Sequence, residues 1–188
     1  MGLSVAPATF TMVEFDHAEL TAVATRLFTE IGLPASLDAV VEVIEQTPAA
    51  RVTIESIDPL HVTVEGGAFE DPRRPRTLGQ HRVVDVLGQL FHQVSDRLDP
   101  AFGAPALDEK LSLPHQVAWD AYALGRLERL GYEAQRPRRL YHFRNRHGFT
   151  DEADDAFDRL WSATNLTWAR LTALSDAARA ATPTPAPG

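Results

Sequence analysis

The sequence predicts an α+β fold in which five or six helices cover a small antiparallel sheet. Residues 51–57 and 61–67 alternate apolar and polar side chains around a short Asp58-Pro59-Leu60 turn, which is typical of a β-hairpin at about 51–66. Much of the remaining chain has apolar residues at helical spacing. The loosely alternating FTMVEF at 10–15 is the candidate for a third strand.

The helices are predicted from their caps and their apolar stripes. Asp16 and Glu19 form a capping-box-like pair, Ser36 is suited to cap a second helix, and Thr150 precedes a long acidic one. Gly32 and Gly131 stand where helices are expected to end. Helices are therefore expected at about 16–31, 36–46, 78–98, 114–130 and 150–180, the last with a break near residues 164–165.

The totals are those of one globular domain. With 188 residues, 44% apolar and 23% charged, the chain suits a single α+β domain at residues 1–181 and a disordered, proline-rich tail at 182–188. It contains no cysteine, no apolar run long enough to span a bilayer and no secretory signal pattern. We therefore expect a soluble, cytoplasmic protein without a membrane partner.

Charge is distributed unevenly along an acidic chain. The formal net charge is −8, and an acidic total argues against a nucleic-acid partner. Yet RPRRLYHFRNRHG at 136–148 holds five arginines and two histidines. Residues 138–147 are predicted to be extended, so that aromatic and arginine side chains alternate between the two faces and could hold a small anionic ligand or an acidic protein partner. The candidate ligand-binding residues are Arg138, Arg139, Tyr141, His142, Arg144, Arg146 and His147.

Two further observations bear on that hypothesis. Residues 150–158 hold five acids, so the arginines could instead neutralise the first turn of the next helix, with Tyr141 and Phe143 as core residues. A second basic loop at 70–77 carries Arg73, Arg74 and Arg76, and would strengthen a positive patch if the two segments met.

The predicted helix at 78–98 carries an alternative function. His81, Asp85, His92 and Asp96 lie along one stripe, and such pairs can hold a transition metal. His81 and His92 are about 16 Å apart along a helix, too far for one site, and the stripe also fits a solvent-facing surface. GQLFH at 88–92 matches the zincin H-E-x-x-H motif at His92 alone. The alternative is therefore an inactive or divergent zincin-like hydrolase that binds zinc.

A third hypothesis concerns the C-terminal region. Trp161 and Trp168 belong to an aromatic stripe that could pack in the core or form the interface of a homo-oligomer, making the chain a structural subunit.

The chain contains no G-x-S-x-G elbow, P-loop or dinucleotide fingerprint. The leading hypothesis is a non-catalytic binding or interaction domain for which no cofactor is predicted.

Overall fold

A computed structural model describes residues 2–180 of the chain and confirms the predicted α+β class, with six helices, a four-stranded sheet and a two-stranded sheet among them. The chain divides into two compact units, Met1–Leu98 and Asp99–Gly188. The tail expected to be disordered lies outside the described residues, and the single domain stays a prediction. None of the described helices is both long enough and apolar enough to cross a membrane.

The first unit is built on a mixed sheet. Its strands are β1 (Leu3–Ala6), β2 (Ala39–Ile44), β3 (Val52–Ile57) and β4 (Leu60–Glu65), in the order β1-β2-β4-β3. The β3–β4 hairpin is antiparallel, as predicted, but β2 pairs in parallel with both β1 and β4. The prediction of a wholly antiparallel sheet is therefore wrong. Parallel neighbours require long connections, which the hairpin alone could not reveal.

This unit also contains two helices. In α1 (His17–Glu30), the Asp16 carboxylate accepts from the Glu19 amide at 2.9 Å, which is the predicted cap. The second helix is α2 (Gln80–Leu98). Their apolar residues pack with the inward side chains of the sheet, and burial of this surface stabilises the unit. Fully buried members are Leu20, Ala24, Leu27, Val41, Val62, Val64, Val83, Leu87 and Phe91.

Two local predictions in this unit are wrong. The helix expected at 36–46 is absent, and strand β2 occupies Ala39–Ile44 of this segment, because Ala39, Val41 and Val43 point together into the core while Val40 is exposed. Residues 10–15 contain one isolated bridge, from Glu14 to Thr77, and not a third strand. This segment is fixed by the Glu45 carboxylate, which accepts from the amides of Thr11 at 2.8 Å and Met12 at 2.5 Å.

The second unit is helical. It comprises α3 (Leu113–Arg129), α4 (Arg136–His147), α5 (Asp151–Ser162) and α6 (Trp168–Ala180). The break predicted near residues 164–165 is present between α5 and α6. The extended segment predicted at 138–147 is wrong, because these residues form α4. Pro137 lies in the first turn of that helix, where a missing amide hydrogen costs nothing.

Helix α3 packs directly on the backbone of α5 at Gly125. A Cβ atom at that position would lie 2.0 Å from the Trp161 carbonyl oxygen, so only glycine permits this approach. Beside it, Trp119 and Tyr122 are buried, and the Phe102 ring stacks against both at centroid distances of 5.6 and 6.3 Å. This aromatic group and the α3–α5 contact form the core of the unit.

Candidate functional site

Helix α4 has a buried side and an outward side. Phe143 and His147, one turn apart, face the core and stack at a centroid distance of 3.7 Å. The buried side orients the helix, so residues about half a turn away must point to solvent. The outward side therefore collects much of the predicted basic segment.

Two of the five arginines are neutralised by α5. Arg144 donates from Nε to Asp154 Oδ1 at 2.7 Å and from Nη2 to Asp154 Oδ2. Arg136 donates to Asp158 Oδ1 at 2.7 Å, and its guanidinium lies 5.7 Å from the Phe157 ring centroid. The alternative of internal pairing thus describes these two residues, and Arg144 is held in place as part of the α4–α5 contact.

The other basic residues form what we call the cationic face of α4: Arg138, Arg139, His142 and Arg146. At 100° per residue they fall within about 100° of arc. Arg138, His142 and Arg146 are exposed, and Arg139 is half-buried. Within residues 2–180, neither Arg138 nor Arg146 forms an ion pair. Their charge is therefore available at the surface.

A cleft of about 300 Å³ lies between α3 and α4. The cationic face supplies three of its residues and α3 supplies its apolar floor and one carboxylate. The cleft brings together side chains that are about twenty residues apart in sequence. Its lining comprises Val117, Asp120, Ala121, Leu124, Arg138, Arg139 and His142.

Two aromatic rings border the cationic face. Tyr141 is 56% exposed and Phe149 is 64% exposed, and their rings meet edge to face at 6.0 Å. The expectation that Tyr141 is a core residue under internal pairing is wrong, because it lies on the outward side of α4. Phe149 is not predicted as a site residue from the sequence, since its proximity to Tyr141 depends on the turn between α4 and α5.

His147 belongs to the core of the unit. Its Nδ1 lies 3.0 Å from the Phe143 carbonyl oxygen and its Nε2 lies 2.8 Å from Ser175 Oγ. Burial lowers the pKa of His147 to about 4, so the ring is neutral at pH 7. A serine beside a neutral histidine resembles a nucleophile with its base, but Ser175 is fully buried and cannot meet a substrate.

The second basic segment lies in the other unit. Arg73 is in the turn between β5 (Glu70–Asp71) and β6 (Arg74–Leu78), and Arg74 and Arg76 are in β6. The loop expected here is in fact a two-stranded sheet, and Arg73, Arg74 and Arg76 are exposed on it.

The proposed metal ligands lie along α2, but their surroundings differ from expectation. Asp85, His92 and Asp96 are 2%, 7% and 5% exposed, while His81 is exposed. The interpretation of this stripe as a solvent-facing surface is therefore wrong. Across residues 2–180, no three His, Asp or Glu side chains gather in a way that could hold a metal ion. The zinc-dependent alternative gains no support from this geometry.

The two tryptophans chosen as interface candidates pack within the second unit. Trp161 is 5% exposed, and its indole nitrogen donates to Glu128 Oε2 at 2.7 Å. Trp168 is half-buried and contacts Trp119 at a centroid distance of 5.1 Å. Most of their surface is thus used inside the unit, and an interface through them stays a prediction.

Comparisons with protein families, with curated proteins and with solved structures find no match for this chain.

Proposed function

We propose that the chain is a non-catalytic interaction module that binds an acidic protein partner through the cationic face of α4. The single observation that carries the proposal is the division of the basic segment. Arg136 and Arg144 are paired with α5, whereas Arg138, His142 and Arg146 are exposed along one line on the outside of the helix.

Local electrostatics supports an anionic partner. The first turns of α4 carry arginines and no acidic residue, although the positive end of the helix dipole lies there. This arrangement raises the local positive potential at some cost to the helix. A carboxylate bound beside Arg138 would remove that cost. Of the seven residues first selected, the proposal retains Arg138, Arg139, Tyr141, His142 and Arg146, since Arg144 is paired and His147 is buried.

The geometry offers less for catalysis. The side chains that meet in the α3–α4 cleft are arginines, one histidine and one carboxylate over an apolar floor. The serine–histidine contact in this unit is inaccessible to a substrate. We therefore place binding ahead of a hydrolytic role.

The test is binding of fluorescently labelled polyglutamate, followed by anisotropy at low and high salt. Combined Arg138→Glu and Arg146→Glu should raise the Kd at least about tenfold, because both cations are lost and replaced by repulsion. The melting temperature should stay nearly constant, since exposed substitutions usually change stability by less than about 0.5 kcal/mol.

A matched control changes the net charge equally but elsewhere. Arg159 and Arg170 are exposed in α5 and α6, and Arg159→Glu with Arg170→Glu should leave the Kd close to that of the unmodified protein. If the two double variants lose affinity for polyglutamate equally, only the total charge of the protein determines binding. That result, or the absence of binding by the unmodified protein, would contradict the proposal.

A further inference from the structure

We propose that the partner is an acidic protein segment carrying an aromatic or large aliphatic side chain, which packs on Tyr141 and Phe149. The inference rests on the proposed function and specifies its ligand. It adds an apolar anchor to the charge complementarity, and it assigns a role to Phe149, which the basic segment alone did not include.

The anchor site is apolar surface without cover. Tyr141 and Phe149 are 56% and 64% exposed. Among the described residues, they are the two most exposed large hydrophobic side chains. Their edge-to-face contact at 6.0 Å joins them into one patch. Burial of aromatic surface is a main source of affinity at interfaces, where tyrosine is enriched among the residues that matter most.

The patch is held in position before a partner arrives. Phe149 follows Gly148, which has a φ of +104° and donates its amide to the Arg144 carbonyl oxygen at 2.8 Å. Thr150, on its other side, caps α5 by accepting from the Ala153 amide at 3.2 Å. Because both neighbours are fixed by helix ends, a partner would order little backbone on binding.

The aromatic patch and the cationic face adjoin one another. The Tyr141 ring lies 6.3 Å from the His142 ring, and Arg138 is one helical turn before Tyr141. One ligand can therefore place carboxylates on Arg138, His142 and Arg146 while its apolar side chain covers Phe149. A partner with carboxylates alone would leave the rings exposed to water.

Charge distinguishes this partner from a nucleic acid. A polynucleotide carries a phosphate at every residue and would experience repulsion from a protein of net charge −8. A short segment with a few carboxylates meets only the local cations. The acidic protein segment is therefore favoured, although aromatic rings beside arginines can also stack on bases.

The experiment compares three labelled probes by anisotropy against the full chain. The first is a short glutamate-rich peptide with one tryptophan, the second is the same peptide with serine replacing tryptophan, and the third is single-stranded DNA. The variants are Phe149→Ser and, as a matched control, Leu113→Ser, which changes another exposed apolar residue of the same unit.

We expect the tryptophan peptide to bind about tenfold or more tightly than the serine peptide, and Phe149→Ser to abolish that difference. Leu113→Ser should preserve it. Equal binding of both peptides, unaffected by Phe149→Ser, would overturn the inference while the proposed function stands. If neither peptide binds to the unmodified protein, the inference and the proposed function are both overturned.

Two other outcomes would also overturn the inference. Tighter binding of the DNA than of either peptide would identify a different class of partner. A dimer that dissociates in Phe149→Ser, measured by light scattering, would mean that a second copy of the chain covers the patch.

Discussion

Arg144 and Asp154 form a two-pronged ion pair that ties α4 to α5. Nε of Arg144 donates to Oδ1 of Asp154 at 2.7 Å, and Nη2 donates to Oδ2. Their shared hydrogen bonds raise the pKa of Arg144 and lower the pKa of Asp154. The contact adds to the orientation that buried Phe143 and His147 give to α4, and thus supports the cationic face without belonging to it.

A double-mutant cycle on Arg144→Ala and Asp154→Ala should give a measurable, favourable coupling energy, because the geometry is bidentate and only about one third of each side chain is exposed. The more exposed Arg136–Asp158 pair is the matched control and should give less than about 0.5 kcal/mol. Urea unfolding measures both. Similar values for the two pairs would contradict this ranking.

The ion pair also predicts an acid dependence. The pKa of Asp154 in the folded protein is lowered below its ordinary value of 3.8. The ion pair therefore makes its full contribution to stability at every pH above 3.8. It disappears as the pH falls through the lower pKa of the folded protein. The Arg144–Asp154 coupling energy should therefore be unchanged between pH 7 and 5 and should decline at more acidic pH. Coupling that persists in the presence of a protonated Asp154 would show that charge is unimportant to the contact.

Buried His147 predicts a pH dependence at higher pH. Its pKa is about 4 in the folded protein and 6.5 otherwise, so between these values the unfolded chain binds a proton that the folded chain does not. Stability should consequently fall as the pH falls from 6.5 towards 4, by about 3 kcal/mol in total. Urea unfolding followed by circular dichroism at several pH values measures the slope.

His147→Phe should flatten that slope, at the cost of lower stability at pH 7 through loss of the Ser175 hydrogen bond. His142→Phe replaces an exposed histidine of the same helix and controls for the substitution itself. A slope that remains in His147→Phe would assign the titration to another group.

Gly125→Ala should destabilise the second unit by about 3 kcal/mol, because overpacking forces α3 and α5 apart. In an ordinary helix the same change is favourable, so the sign of the effect is informative. Gly131→Ala is the control. A Cβ atom added at Gly131 would lie in open space, but the residue has a φ of +93°, so this change should lower the stability by about 1 kcal/mol. A Gly125→Ala protein as stable as the original would contradict the close contact with Trp161.

Local patterns were sufficient for some elements of the fold. The β3–β4 hairpin is predicted from its alternating apolar and polar residues, and the start of α1 is predicted from the Asp16 cap. Both signals depend only on residues that are close in sequence. Strand β2 is not predicted from the sequence, because Val40, Val41 and Ile44 fit a helical stripe as well as they fit a strand. Its partners β1 and β4 are distant in sequence, so the evidence that decides between the two is tertiary.

The candidate site shows the same limit. The sequence locates the basic segment, but the extended conformation predicted for it puts Arg144 on the same face as His142 and Arg146. The helix instead turns Arg144 towards Asp154 and leaves His142 and Arg146 outward. Pro137 lies in the first turn of α4, where proline is favoured, and is a local signal for that helix. The pairing of Arg144 with Asp154, and of Tyr141 with Phe149, depends on the turn at Gly148, and no local pattern reveals which of several acids each arginine meets.

The distribution of aromatic residues has a spectroscopic consequence. All three tryptophans and all three tyrosines lie after residue 98, and the first unit contains phenylalanine as its aromatic residue. The intrinsic fluorescence of tryptophan and tyrosine therefore reports on the second unit alone. Far-ultraviolet circular dichroism reports on the peptide backbone of both. If the two signals change at the same denaturant concentration, the units unfold together; if they separate, each is an independent cooperative unit.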